Sequence, residues 1–356
     1  MRPGLAVRPG QPVGAVAVHT CRELTSTKLA GAGSTVDGKG TVPGMQDDAL
    51  PSAGTPQSAG TPQSAGTPQS SLRLGPHSFG PRQLLVMAIV NRTPDSFFRP
   101  GDTWDEPAAM ERVHQVVAEG AHIVDIGGVP AAPGQDVDVP EEIGRTAGFI
   151  AAVRAAYPDL VISSDTWRHE VAREACAAGA DLINDSWGGW DAVLPEVAAE
   201  FGAGLVCSHA GGQAPRTRPF RVSYPDVVAD VLAHTGKLAA RAVEAGVDPE
   251  RIVVDAAHDF GKNTWHSLEV TRRLAEMTAT GWPVLVSVSN KDFIGETLDV
   301  PLPDRLAGTL ATTSICAWQG ARIFRAHHVL QTRQALDMVS AIRGDKPPAR
   351  AVRGLA

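Results

Sequence analysis

The chain has 356 residues, 43% of them hydrophobic and 20% charged, and a formal net charge of −7. This is the average composition of a soluble globular protein with a sizeable core, not of a collagen-like, disulfide-stapled or wholly disordered chain. An acidic domain without basic runs argues against nucleic acid as the main partner.

The average hides a break near residue 80. Residues 1–80 are rich in Gly, Pro, Ser and Thr and hold three head-to-tail copies of SAGTPQ between Ser52 and Gln69. Such a tract has too little apolar surface to offset its ordering entropy, so a disordered low-complexity tail is expected over 1–80. The expected globular domain is 81–346, followed by a flexible C-terminus at 347–356. The N-terminal stretch MRPGLAVRPGQPVGAVAV is too often interrupted by Pro and Gly for a signal peptide, and no later run suits a membrane span. Cys21, Cys176, Cys207 and Cys316 form no CxxC pair. Reduced thiols in a cytoplasmic protein fit that spacing best.

From residue 84, short aliphatic runs alternate with longer amphipathic ones. In chain order the runs are LLVMAIV (84–90), HIVDIGG (122–128), LVISSD (160–165) and DLINDS (181–186). GLVCSHA (204–210), RIVVDAA (251–257), PVLVSVS (283–289) and ARIFRAH (321–327) follow. Runs this short and β-branched suit a parallel sheet covered on both faces. The intervening stretches, such as EPAAMERVHQVVAEG, have helical spacing. Several end in a glycine just before the next strand (Gly120, Gly179, Gly202, Gly246, Gly281, Gly320), where a C-terminal helix cap belongs. Eight βα units over about 260 residues predict a (β/α)8 TIM barrel; a doubly wound open sheet is the alternative.

A barrel of this kind carries its chemistry at the C-terminal strand ends. Those ends read Asn91, Asp125, Asp165, Asn184–Asp185, His209, Asp255, Ser289–Asn290–Lys291 and Arg325-Ala-His327. An acid at one strand end is often only the cap of the next helix. Eight polar ends together predict a converging pocket instead. Asp165, Asn184 and Asp255 suit a fused pyrimidine with a 2-amino group and a ring N–H, since a carboxylate accepts two parallel donors. Lys291 is placed to donate to another edge. Arg325 and His327, two apart on one strand, point the same way and suit a phosphate or diphosphate. The competing readings are an ion-pair ring closing the mouth, and a zinc hydrolase drawing on His209, His258, His327 and His328.

The segments MAIVNRTPDSF (87–97), VDIGG (124–128), SDT (164–166), GADLINDSWGG (179–189), FGK (260–262), SNKDFIGETL (289–298) and FRAHHV (324–329) resemble dihydropteroate synthase, in order and at that family's spacing. The resemblance covers roughly 84–345. It implies a folate-synthesis transferase that joins p-aminobenzoate to 6-hydroxymethyl-7,8-dihydropterin diphosphate, working as a homodimer. It implies pterin binding by Asp165, Asn184, Asp255 and Lys291, diphosphate binding by Arg325 and His327, and Mg²⁺ bound by Asn91.

The departures are as informative. Where active members read GGESTRPG, this chain reads GGVPAAPG, so Val129, Pro130, Ala131 and Ala132 replace a polar loop. Losing its arginine removes charge stabilisation where diphosphate leaves. A second family arginine is Asn290, the DPG of the sixth strand is Asp255-Ala256-Ala257, and a usual valine is Arg92. The expectation is a second paralogue that keeps the pterin pocket and has weak or no synthase activity. The alternatives are an active synthase with Arg92 compensating, and a non-catalytic pterin-binding or partner protein.

Overall fold

The structure is a computed structural model that describes residues 71–93 and 105–353. A short hairpin, β1 (Leu72–Leu74) and β2 (His77–Phe79), precedes β3 (Leu85–Asn91), α1 (Glu106–Ala118), β4 (Ile123–Gly127), α2 (Val139–Ala156), β5 (Val161–Asp165) and α3 (His169–Ala177). The chain continues through β6 (Leu182–Asp185), α4 (Leu194–Phe201), β7 (Gly204–Ser208), α5 (Val227–Glu244) and β8 (Ile252–Asp255). It ends with α6 (Thr264–Arg272), α7 (Leu274–Thr278), β9 (Val284–Val286), α8 (Asp292–Leu298), α9 (Leu306–Trp318), β10 (Ile323–Ala326) and α10 (Val329–Ile342). Strands β3 to β10 are parallel and close on themselves in the order β10-β3-β4-β5-β6-β7-β8-β9. The expected (β/α)8 barrel is therefore correct, and the open sheet is set aside. All six glycines expected at helix ends have positive φ, the conformation that stops a helix there.

Period-two alternation decides what each strand offers to each side. Val86, Val124, Ile162, Ile183, Leu205, Val254, Val286 and Phe324 face outward into the shell packed by the helices. Leu85, Met87, Ile123, Val161, Leu182, Val206, Val253, Leu285 and Ile323 face inward and form an apolar layer. Two residues further along seven of the eight strands the inward position turns polar: Asp125, Ser163, Asn184, Ser208, Asp255, Ser287 and Arg325, while β3 keeps Ile89 there and turns polar at Asn91. An apolar floor beneath a polar mouth is thus written into one parity of the strands.

The hairpin corrects the expected tail boundary. Leu72, Leu74 and Phe79 join the interior apolar layer and plug the barrel at its N-terminal end. Arg73 pairs with Asp248 and Glu250, and the buried Arg322 donates to the carbonyls of Phe79 (2.9 Å) and Gly80 (2.7 Å). Residues 71–80 therefore belong to the folded domain, while 1–70, with the SAGTPQ repeats, lie outside the described residues. Three-residue strands around Gly75-Pro76 are too short to show a period in the sequence, so only burial reveals them. At the other end, 347–353 lie beyond α10 without regular structure. Among the described residues no helix is long and apolar enough to cross a membrane.

Candidate functional site

The polar mouth has two sides. On the first, Arg325 of β10 lies between two carboxylates: its Nε donates to Asp125 Oδ2 at 2.6 Å and its Nη2 to Asp165 Oδ2 at 2.7 Å. Asp125 also accepts from Ser163 Oγ (2.6 Å) and Asn184 Nδ2 (3.2 Å), and Asp165 from Ser186 Oγ (2.7 Å). Burial pushes the Asp165 carboxyl up, to about 6, against the pull of Arg325. The ion-pair ring weighed from the sequence exists on this side. Asp125, its most buried member, is marked in the sequence only as a strand end. Its signal was the parity it shares with the inward Ile123.

His327, two residues beyond Arg325, takes its N–H and Nδ1 to Ser289 Oγ (3.1 and 2.9 Å). Burial and then the Arg325 charge lower its pKa to about 3. The ring is therefore neutral and offers an anion no charge. Asn91 ends β3 on the same rim, its amide oxygen over the face of Gly127 that the Asp165 side chain also covers.

The second side is built from β6, β8 and the segments after β8 and β9. Asp255 is buried, and its Oδ1 accepts the Ala257 N–H at 2.8 Å. No described residue bonds its Oδ2, and burial raises its pKa. Asn184 has its amide nitrogen on Asp125 and its oxygen left over. Lys291, just before α8, donates to the His258 carbonyl, and its ammonium sits 4.4 Å over the Phe260 ring. Burial lowers its pKa while Asp259 and Asp255 raise it. Asp255, Asn184 and Lys291 thus keep bonding capacity for something absent from the chain itself.

The β8–α6 segment is shaped by Lys262, which sequence reasoning passed over. Its buried ammonium donates to His209 Nδ1 (2.7 Å) and to the carbonyls of His209 (2.8 Å), Phe260 (3.0 Å) and Ala257 (3.3 Å). His209 Nε2–H is then left for Asp230, at 2.6 Å. Ala257 stands at φ 49°, where the family pattern has glycine, at a cost of roughly 1 kcal/mol. The four histidines of the zinc reading form no shared group among the described residues, and His328 stands at the N-cap position of α10. His209 is held by Lys262 and Asp230, His258 by Thr271 and His327 by Ser289. Among the described residues, His169, Glu170 and Asp191 are the group close enough for a shared metal. There the Asp191 carboxylate already accepts the N–H groups of His169 and Val193.

The apolar β4 loop is clamped from outside. Arg216, in the β7–α5 segment, donates to the carbonyls of Pro130 (3.1 Å), Ala132 (3.1 Å) and Gln135 (2.7 Å). A cation does stand at this loop, but these bonds hold the backbone in place. Arg92 does not reach the mouth. It follows the outward parity of Val90, its guanidinium lies 4.8 Å over the Phe149 ring, and its Nε donates to the Arg145 carbonyl. Asn290 is buried at φ 57°, a backbone conformation asparagine tolerates. Its N–H donates to Thr309 Oγ1 and its carbonyl accepts from Arg305, so its backbone is tied towards α9.

A closed (β/α)8 barrel with buried acids, an amide and a lysine left partly unpaired at its mouth is a small-molecule-binding barrel. Residues 87–327 match the family described as pterin binding enzyme. The chain belongs to that family, as a divergent homologue of dihydropteroate synthase. It is 59% identical over 276 residues to the protein named inactive dihydropteroate synthase 2 of Mycobacterium leprae, covering 76% of this chain and 95% of that one. It is 36% identical over 266 residues to the dihydropteroate synthase of Escherichia coli K12, covering 74% of this chain and 94% of that one. The solved dihydropteroate synthase of Yersinia pestis, in a sulfonamide drug complex, superposes with a TM-score of 0.73 at 31% identity, covering 78% of this chain and 100% of that one.

Proposed function

We propose that this protein binds a pterin in the second side of its mouth and has weak or no dihydropteroate synthase activity. The observation that carries the pterin reading is Asp255: a buried carboxylate with one oxygen unpaired among the described residues, on the inward parity that also carries Asn184 and within reach of the Lys291 charge. The Asp255 carboxylate is suited to a 2-amino group and ring N–H, one on each oxygen, the Asn184 oxygen to a further ring donor and Lys291 to a ring acceptor, while Asp165 keeps only the lone pairs that Arg325 and Ser186 leave it.

The electrostatics of the first side support the loss of activity. A leaving diphosphate needs preorganised donors where charge develops. Arg325 and His327 keep the positions that the family pattern gives them, but the loop that would close over the anion offers only Val129, Pro130, Ala131 and Ala132. Arg325 and His327 remain the groups nearest such an anion, and p-aminobenzoate has lost the polar loop that would frame it. Arg92 faces the helices, which disfavours a compensating role. Asn91 supplies one amide oxygen, which suits a Mg²⁺ that keeps most of its waters and takes its other oxygens from a bound diphosphate. The resident metal would screen phosphate charge there.

Calorimetry with 6-hydroxymethyl-7,8-dihydropterin tests the cradle. Asp255→Asn should weaken binding about a hundredfold, because a charged acceptor becomes a donor facing donors. Unchanged affinity would remove the pterin reading.

The protein is further proposed to be a homodimer. Ile315 and Trp318 on α9, and Met338 and Ile342 on α10, are large apolar side chains more than half exposed. The two helices meet where Arg343 donates to the Ala317 carbonyl at 2.9 Å. An apolar patch of this kind marks an interface that a second copy can cover by two-fold symmetry. Trp318→Asp should turn a dimer into a monomer in light scattering; a wild type of monomer mass would end the proposal. Cys176, Cys207 and Cys316 are buried free thiols, which suits the reducing cytoplasm.

A further inference from the structure

We infer that the cleft beside the mouth, between the β4 and β7 segments, is a subsite for an uncharged, hydroxylated substituent on C6 of the bound pterin. The inference rests on the pterin reading of the cradle. The cleft has a volume of about 500 Å³ and is lined by Asp136, Val137, Trp167, Arg168, Trp190 and Pro215, among others.

Barrel topology gives the direction. Asp255 ends β8, and four places around the closed order stands β4. A pterin whose pyrimidine edge lies on Asp255 points its pyrazine ring, and therefore C6, across the barrel towards β4. That strand runs directly into the loop whose Pro133, Gly134, Asp136 and Val137 form one wall of the cleft. The opposite wall adjoins the cradle. Trp167 is two residues beyond Asp165, its ring meets Trp187 edge-on at 6.4 Å, and Trp187 meets Phe260 at 4.9 Å.

Charge selects the class of substituent. Arg168 donates to Glu142 at 2.8 Å and stacks over Trp167 at 4.8 Å, while Arg216 is bonded to loop carbonyls. Asp136 adds an exposed carboxylate. The cations are thus balanced by Glu142 and Asp136 or turned to backbone, which disfavours a diphosphate. Two indoles suit the C–H face of a polyol or sugar, and Asp136 suits its hydroxyls. The Arg216 clamp preforms the cleft, so the substituent need not order the loop.

The test is calorimetry on the full chain with two probes. One is 6-hydroxymethyl-7,8-dihydropterin; the other is 7,8-dihydroneopterin, which carries a trihydroxypropyl group on C6. The wild type should bind the second at least about tenfold more tightly. Trp190→Ala, a half-exposed wall residue outside the cradle, should bring that ratio near one while leaving the first probe's affinity unchanged. Equal affinities in the wild type, or a Trp190→Ala that weakens both probes alike, would overturn the subsite and leave the cradle standing. If neither probe binds, the pterin reading falls and the subsite falls with it.

Discussion

The two ends of this barrel share the same eight strands and have opposite characters. At the floor, inward residues are aliphatic and the β1–β2 hairpin adds Leu72, Leu74 and Phe79 to them. Two residues further along, the same parity carries Asp125, Asn184, Asp255 and Arg325, all polar and none more than about a quarter exposed. Burial at the floor stabilises the fold, because apolar area leaves water without leaving a polar group unpaired. Burial at the mouth costs stability wherever a partner is missing, and the costs are distributed unevenly. Arg325, Asp125 and Asp165 satisfy one another, whereas Asp255 keeps an unpaired oxygen. Function therefore belongs where the chain leaves bonding capacity unused, and the side that has satisfied itself is the side that has lost its reactive loop.

The largest expected effect strikes the floor. Removing residues 1–70 should leave the melting temperature unchanged, whereas removing 1–80 also takes away three buried apolar side chains, costing on the order of 5 kcal/mol. Chemical denaturation of the two truncated chains checks this. Equal stabilities would show that the hairpin does not carry the floor.

Acid should strike next, and mainly at the mouth. Burial lowers His122 and His209 to about 4, His327 to about 3, and His258 well below its usual value. The unfolded chain thus binds protons near pH 6.5 that the folded chain refuses, and stability is lost as pH falls through that value. Asp165 and Asp185, raised by burial to about 6, work the other way. Glu142, Asp255 and Asp259 are raised too, whereas the buried Lys262, lowered to about 7, adds to the histidines. The histidines and the lysine titrate above the carboxyls, so the melting temperature should fall between pH 7.5 and about 6. A melting temperature that rises over this range would reverse the sign. Three of the four histidines are at the mouth, and His122 is at the floor, where its Nδ1 accepts from the Val86 N–H.

A smaller effect is expected from repairing the mouth. Replacing Val129-Pro130-Ala131-Ala132 with Glu-Ser-Thr-Arg should raise dihydropteroate formation about a hundredfold from a very low base, the scale of one well-placed donor. Product formation in single-turnover assays is the measurement. The gain should be larger when Arg216→Ala releases the loop backbone, since the clamp holds carbonyls rather than side chains. Asn290→Arg should not add to it, because that position is buried and its backbone is tied to Thr309 and Arg305. A folded, pterin-binding graft without turnover would show that the missing loop is not the main defect.

Local pattern determined the barrel and most of the cradle. Eight short β-branched runs, glycines at helix ends and a polar residue closing each strand are local signals, and a parallel barrel turns them into one layered interior. The strand-end places of Asp165, Asn184, Asp255, Arg325 and Asn91, and of Lys291 just beyond β9, could be read for that reason, as could the loss of the polar β4 loop. Only the tertiary structure decided which of these groups satisfy one another. Arg325 bridges carboxylates 200 and 160 positions away in the chain, and Lys262 knots β7 to the β8–α6 segment. Arg216 spends its donors on a loop more than 80 residues earlier, and Arg92 turns outward to Phe149. The hairpin was hidden because three-residue strands have no period to read, and its apolar residues acquire meaning only when the barrel offers them a floor. Sequence spacing specifies direction along a strand; which partner a buried charge finds depends on groups that only the closed barrel brings together.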